Sequence, residues 1–465
     1  MQSKEKYKME KYEVFSIKGE NRIIIFPEVP FWIAVSKTGY IALEEMSKTG
    51  SIQETAEKVF GKAEETEISE VTKLFEPLMK SSILYKNEKQ TMEKPLLKPN
   101  KVTFLQTMRC NLKCRHCCVS DMENNKLKSM SLDTAKEVLR RCLCIMDEGN
   151  KGLSFLGGEP LCGDGFLKLL EYASGLGYQI GLSTNGLLVD EKFAKIVKKN
   201  KINVQVSLDG TDKESHEYVR GKGTWDKTLE SIKILNQYDV DIQTNLVYHR
   251  KNIDKLEEYF DFAKEHHIKK VRLISLMNMG RAVGQMERVP LDEFVDCMYS
   301  LIKKRNDIID LLDETSFIGL VMGARFSQKM ISCGAGVITL TISPDGGIYP
   351  CLNLYDKRFE MCNILDENYK EKFENSSVRM LFQTLNIKTM NETCKQCNMK
   401  YFCGGRCRGE TFQETGDVKA SYPYCEEWKK AMEKIFWILV EYPQLGENKY
   451  NDILLKADSY LNLWH

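Results

Sequence analysis

The stretch CNLKCRHCC places Cys110, Cys114 and Cys117 at C-x3-C-x2-C, with Cys118 breaking the rhythm. Zinc sites usually take four ligands, often as two C-x2-C pairs. Three closely spaced thiols on one loop suit three corners of a cubane iron–sulfur cluster and leave the fourth iron open to a substrate or cofactor. With His116 as a fourth ligand, the same loop could make a zinc site. Further along, Gly157-Gly158-Glu159-Pro160 follows a short apolar run. Two glycines let a backbone come close to a ligand, and a proline removes a donor and stiffens the turn. Ser183-Thr184-Asn185-Gly186 and Ser207-Leu208-Asp209-Gly210 end two more apolar runs. Hydroxyls, an amide and a carboxylate at such places suit a ligand with ribose hydroxyls and an amino acid moiety.

A second group of thiols lies near the C-terminus. Cys333, Gly346 and Cys351 read C-x12-G-x4-C; Cys394, Cys397, Cys403 and Cys407 follow as C-x2-C-x5-C-x3-C, then Cys425. One zinc would use four of these seven, and a zinc ribbon over Cys394 to Cys407 is the alternative to cluster ligation. Cys142, Cys144 and Cys297 fall on helical patterns and are expected in the core. Cys362 reads as a thiol buried in a strand.

These loops need a scaffold. The chain has 465 residues, enough for two or three domains, with 42% hydrophobic and 29% charged residues and a formal net charge of +1. That balance argues against nucleic acid as the main partner. MQSKEKYKMEKYEVF has no apolar h-region, and no apolar run approaches the ~20 residues of a membrane span, so neither export nor a membrane is expected. A cytosolic, cytoplasmic location follows as an expectation; there, sixteen cysteines call for ligation rather than disulfides.

From Val102 to about Leu276, strands alternate with helical patterns: VTFLQT, LSFLGG, QIGLST, NVQVSLD, DIQTNLVY and KVRLISL. Repeated βα units imply a parallel sheet, and six of them an open or partial barrel, whose sites lie at the strand C-termini. Upstream, KYEVFSI, NRIIIF and FWIAVS read as strands, with Gly19-Glu20-Asn21 turning between the first two. Helical patterns follow over Thr38–Met46, Gln53–Phe60 and Ile68–Met79, the middle one opened by a capping-box signal at Ser51. The expected α/β organisation is an N-terminal domain (1–86), a polar linker (87–101), a partial (β/α)6 TIM-like barrel (102–315), a cysteine-rich domain (316–430) and a helical tail (431–465).

On C-x3-C-x2-C together with GGEP at a strand end, the chain resembles the radical S-adenosylmethionine (radical SAM) enzymes. The resemblance implies that Cys110, Cys114 and Cys117 ligate a SAM-binding [4Fe–4S] cluster and that His116 lies near the adenine. Gly157, Gly158, Glu159 and Pro160 would meet the methionine amino group. Ser183, Asn185, Ser207 and Asp209 become ribose or carboxylate candidates, and Arg220 a carboxylate candidate. The seven C-terminal thiols resemble the SPASM domain, which holds two auxiliary [4Fe–4S] clusters. That pattern implies Cys333, Cys351 and Cys407 at one cluster and Cys394, Cys397, Cys403 and Cys425 at the other. The first set is one thiol short, leaving either an open iron or a place for a nearby thiol such as Cys362.

The N-terminal segment resembles the winged-helix peptide-recognition element of ribosomal peptide maturation systems, which binds a leader peptide as an added strand. A nucleic-acid-binding winged helix is the other reading, but Glu44, Glu45, Glu54, Glu57, Glu64, Glu65 and Glu67 make a poor face for phosphates. Together the resemblances imply three [4Fe–4S] clusters, SAM, a precursor peptide with its leader, and an external electron donor such as flavodoxin or ferredoxin. The implied activity is peptide modification by a 5′-deoxyadenosyl radical, with a Cys–carbon thioether as product. Carbon–carbon or carbon–oxygen crosslinking, epimerisation, sulfatase-type maturation and a non-enzymatic iron–sulfur electron carrier are the alternatives.

Overall fold

A computed structural model describes residues 6–86, 98–119, 129–149, 151–326 and 329–445. Most of the expected linker and the end of the expected helical tail lie outside them. Fourteen strands are described: β1 (Lys8–Met9), β2 (Glu13–Lys18), β3 (Asn21–Phe26), β4 (Phe31–Val35), β5 (Leu84–Tyr85), β6 (Lys101–Phe104), β7 (Gly152–Phe155), β8 (Gln179–Thr184), β9 (Asn203–Ser207), β10 (Ile242–Tyr248), β11 (Lys270–Ser275), β12 (Thr339–Ile342), β13 (Gly347–Tyr349) and β14 (Cys362–Asn363).

Strands β6 to β11 lie side by side in sequence order, all parallel. Their alternate residues are fully buried, as with Val102 and Phe104 on β6 and Leu153 and Phe155 on β7. Phe104, Phe155 and Phe166 pack edge to face, with centroids 5.8 and 5.2 Å apart. This is the expected arc of six βα units, but the sheet does not stop at β6. Strand β12 pairs with β6 in parallel, and β13 and β14 follow as antiparallel neighbours, giving nine strands. The cysteine-rich region is therefore hydrogen-bonded into the barrel sheet.

The three expected N-terminal strands form an antiparallel sheet in the order β2-β3-β4. Three helices follow, Lys37–Thr49, Ile52–Phe60 and Glu65–Lys80. Ser36 and Ser51 cap the first two by accepting from Gly39 N and Glu54 N. Alternation along β3 divides the sheet's faces. Ile24 and Phe26 join the core under these helices, while Ile23 and Ile25 join the barrel's core.

On the barrel side, Phe15 and Trp32 pack on Phe436 of the C-terminal helix Cys425–Glu441, at 5.8 and 4.6 Å between centroids. Trp32 Nε1 donates to Ala324 O at 2.8 Å. The same helix is tied to the barrel by Arg288, which donates to both oxygens of Glu427 at 2.7 and 2.9 Å. Among the described residues, no helix is long and apolar enough to cross a membrane.

Candidate active site at the strand ends

A cavity of about 560 Å³ opens at the C-terminal ends of the parallel strands. Its wall includes Cys110, Cys114, His116, Cys117 and Cys118 from the loop after β6. Gly157, Gly158 and Glu159 come from the turn after β7, Ser183 and Asn185 from the end of β8, and Ser207 from the end of β9. Arg220 completes the convergence. Successive βα units thus bring together residues scattered over about a hundred positions, which is what this architecture does at its strand ends.

The cysteine loop is held from three sides. Arg115 N donates to Val219 O at 2.9 Å, Arg281 Nε to Cys114 O at 2.8 Å, and Arg281 N to Cys117 O at 3.1 Å. Asn111, next to Cys110, accepts from Asn185 Nδ2 at 2.7 Å. Leu112 N donates to Cys110 Sγ at 3.4 Å, and Arg220 Nη1 to Cys114 Sγ at 3.6 Å. Burial raises the half-buried Cys117 thiol, whereas Cys110 stands exposed on the loop. Thiols bind metal as thiolates, so loading would release their protons. The three thiols share one wall of the cavity, with an N–H turned to the Cys110 sulfur and a guanidinium to that of Cys114, a donor set of the soft kind that iron–sulfur clusters take; among the described residues they do not close on a single metal ion. His116 does not fit as a zinc ligand through Nε2, because that atom lies 3.1 Å from Asp209 Oδ2.

Several candidates take a different place from the one expected. The two glycines line the cavity and also make room for neighbouring backbone. A Cβ at Gly157, where φ is +133°, would stand 2.4 Å from Thr107 O; one at Gly158 would meet Arg109 O at 2.2 Å. Glu159 is 1% exposed and accepts from Leu161 N, Thr184 Oγ1 and Asn185 N at 3.2, 2.7 and 2.8 Å. It ties the GGEP turn to the end of β8. Pro160 is buried and starts a short 3-10 turn. Asn185 spends its amide on Asn111 and its oxygen on Leu187 N, so it braces the wall. Ser183 Oγ donates to Gln205 Oε1 at 2.9 Å.

Asp209 does not line the cavity as a ribose or carboxylate contact would; it is fully buried behind it. It accepts from Val247 N at 2.9 Å and from Arg220 Nε at 2.5 Å, and faces His116. Burial would raise its carboxyl, but Arg220 and His116 outweigh this and hold it far below the usual carboxylate range. Arg220 is thereby engaged by protein, with one guanidinium nitrogen turned to Cys114. The sequence reading missed Arg281 and Asn111. Asn111 could have been noticed as the immediate neighbour of Cys110, whereas Arg281 carries no motif.

The C-terminal thiols fall into two neighbourhoods. Cys351 senses charge at Cys407 and Cys333; Cys403 senses Cys425 and Cys397; Cys425 senses Cys397 and Cys394. Burial raises Cys351, Cys407 and Cys425, and pushes Cys403 up to about 11. Asn353 Nδ2 and Glu410 N donate to Cys407 Sγ at 3.5 and 3.4 Å, and Met399 N to Cys397 Sγ at 3.4 Å. Leu352, beside Cys351, reaches the wall of the strand-end cavity, so the first neighbourhood borders it. Cys118 lies between, on the cavity wall and close enough to sense Cys407. Cys362 lies elsewhere. It is buried on β14, its thiol 3.7 Å from Tyr369 O, and the charges acting on it are Asp366, Glu360 and Lys372. Cys142 is fully buried as expected, whereas Cys144 is exposed, in the turn that ends the helix Leu132–Cys142.

Comparison with known proteins agrees with this geometry. Residues 105–263 match the radical SAM superfamily, and residues 333–398 match SPASM, described as an iron–sulfur cluster-binding domain. The chain carries a radical SAM domain and a SPASM domain, and with them the SAM and iron–sulfur cofactors of an enzyme of this class. Among its relatives is the mycofactocin maturase MftC of Mycolicibacterium smegmatis, 29% identical over 73% of this chain and 85% of that protein. A cysteine-type anaerobic sulfatase-maturating enzyme of Clostridium perfringens is 27% identical over 70% of this chain and 93% of its own. Among solved structures, Streptococcus suis SuiB bound to precursor peptide SuiA superposes with a TM-score of 0.59 over 90% of this chain and all of that one, at 16% identity.

Proposed function

We propose that the protein is a SAM-dependent maturase of a ribosomally made precursor peptide and that it joins a peptide cysteine sulfur to a carbon of the same peptide. The observation carrying this reading is the shared border between the strand-end cavity and the Cys333–Cys351–Cys407 neighbourhood. When bound, SAM and its cluster supply a 5′-deoxyadenosyl radical for hydrogen abstraction, and the auxiliary clusters supply an electron acceptor. In this reading Cys110, Cys114 and Cys117 hold the first cluster. Cys394, Cys397, Cys403 and Cys425 hold one auxiliary cluster, and Cys333, Cys351 and Cys407 the other. This last set is one thiol short of four, and the placement of Cys362 speaks against its filling the gap. A peptide thiolate arriving through the cavity is a fitting fourth sulfur.

His116, Ser183, Ser207 and the GGEP backbone line the space for SAM, and Arg220 and Asp209 set the cysteine loop against it. The electron donor for the first cluster is expected to be a flavodoxin or ferredoxin. Relatives named as maturases of peptides or proteins support the substrate class.

The product should be lighter than its precursor by two hydrogens per crosslink, with one fewer thiol open to alkylation for each bond. A two-hydrogen loss with every thiol still alkylatable would reject the thioether in favour of carbon–carbon or carbon–oxygen bonding. A mass-neutral product would point to epimerisation. The Cys118→Ala variant tests the open place separately: loss of auxiliary iron there would make Cys118 the fourth ligand.

The N-terminal sheet is proposed to bind the leader. Its faces are both covered, one by its own helices and the other by the helix Cys425–Glu441, so among the described residues the positions without a strand neighbour are the in-plane edges at β2 and β4. An added strand there takes its affinity from main-chain hydrogen bonds. Precursor peptide is expected to slow amide hydrogen exchange along β2 or β4 by at least tenfold. Unchanged exchange at both edges would remove the recognition role. This measurement leaves in place the contacts of Phe15 and Trp32 with Phe436, which deletion of the domain would break.

A further inference from the structure

Arg408 opens the helix Arg408–Thr415 directly after Cys407, which caps that helix. It is 1% exposed. Nη1 donates to Val418 O at 3.1 Å and Ala420 O at 2.7 Å, and Nη2 donates to Gly405 O. All three acceptors are neutral carbonyls. Nε is buried without a hydrogen-bond partner among the described residues. Glu410, two residues on, turns its carboxylate to Tyr422 Oη at 2.8 Å instead. Among the described residues, a guanidinium in this position is a buried cation with no carboxylate beside it, an arrangement proteins strongly avoid.

The surroundings show where the anion belongs. Gly405 lies between Cys403 and Cys407 in the chain. Ala420 precedes Ser421, whose Oγ is 3.9 Å from Cys394 Sγ. The thiols that would act on Arg408 once ligation makes them thiolates are Cys333, Cys394, Cys403 and Cys407, the last its neighbour in the chain. Cys333 and Cys407 belong to one proposed ligand set, Cys394 and Cys403 to the other. A cubane held by thiolates carries net negative charge, and Arg408 stands where two of them would flank it.

We infer that Arg408 is a shared counter-cation of the two auxiliary clusters, held between them by three backbone carbonyls. The assignment rests on the ligand sets proposed above. It makes Arg408 a positioning and tuning residue with two measurable effects. A positive charge beside a cluster favours the added electron, so it raises both auxiliary potentials. Cluster loading also neutralises a charge the apo-protein leaves uncompensated, so Arg408 increases the stabilisation gained on loading.

The test compares wild type, Arg408→Gln and Arg408→Lys as full-length chains, each as apo-protein and after anaerobic reconstitution. In Arg408→Gln the auxiliary potentials should move to more negative values, by at least tenfold in the reduced-to-oxidised ratio at a fixed potential, about 59 mV for one electron. The rise in melting temperature on loading should shrink. Arg408→Lys keeps the charge and should restore both. If Arg408→Gln fails to load its auxiliary sites while Arg408→Lys loads fully, the charge requirement stands on iron content alone. Full auxiliary iron with unmoved potentials in Arg408→Gln would overturn the role of Arg408 and leave the ligand sets intact. Wild-type protein with iron only at the Cys110 site would overturn the ligand sets themselves, and the Arg408 assignment with them.

Discussion

Replacing Cys110, Cys114 and Cys117 together with Ala is expected to remove about a third of the roughly twelve irons that three four-iron clusters hold, and to abolish reductive cleavage of SAM. The three thiols sit on one loop pinned by Val219, Arg281 and Asn185, so the surrounding backbone has its own supports and should survive their loss. The remaining irons should stay at the C-terminal thiols, more than two hundred residues away in sequence. Anaerobic iron analysis and the yield of 5′-deoxyadenosine check both parts. Loss of all iron would mean that the sites load cooperatively. Stoichiometric zinc at the C-terminal thiols would defeat the auxiliary-cluster assignment.

The second large effect is expected at Asp209 and Arg220. Asp209 is fully buried, and its carboxylate depends on Arg220, His116 and Val247 N. Breaking a buried pair by removing one partner costs about 3–5 kcal/mol, because a charge remains without compensation. Arg220→Met should therefore lower the stability of the apo-protein by about that amount, and Asp209→Asn by a similar one. The double variant should recover part of the loss, since it leaves neither charge alone.

The pH dependence should change sign. In wild type, the carboxyl is held below its unfolded value, so the pair's contribution is present above about pH 4 and is lost only on strong acidification. In Arg220→Met the largest lowering charge is gone and only His116 and Val247 N still oppose burial, so the carboxyl is expected to rise above its unfolded value. The deficit should then grow as pH rises from 5 to 8. Thermal melts of the three variants across that range provide the measurement; a deficit that is flat with pH would show that Asp209 is not the group left stranded. SAM affinity should fall as well, because Arg220 also donates to Cys114.

Much of this site could be read from residue order. The six barrel strands are legible because each is a short apolar run bounded by turn residues, and parallel βα units put their ends on one face. The grouping of Cys407 with Cys333 and Cys351, rather than with its chain neighbours Cys394, Cys397 and Cys403, comes from the resemblance to the SPASM pattern and not from spacing. What stayed illegible depends on long-range contact. A glycine signals that something comes close to its backbone, but not that Gly157 and Gly158, which line the cavity, are also approached by the carbonyls of Thr107 and Arg109. Polar residues at strand ends are marked as important without saying which face the cavity and which brace it; Asn185 turns out to do both, and Asp209 to brace from behind. The pairing of β1 with β5 escapes periodicity because each has only two residues. The pairing of β12 with β6 escapes it because nothing local specifies a partner across the whole barrel.

That last pairing bears on how the chain is made. During synthesis, the loop with Cys110, Cys114 and Cys117 emerges beside the β6 edge, which has no neighbour on its outer side until Thr339 to Ile342 leave the ribosome. An unpaired strand edge is a template for wrong partners, and closing such a distant contact is intrinsically slow. The nascent barrel thus passes through a stage in which its three-thiol loop flanks an unpaired strand edge. Chaperone capture and oxygen damage should both concentrate in that interval, and truncations ending before β12 should aggregate rather than accumulate as an isolated barrel.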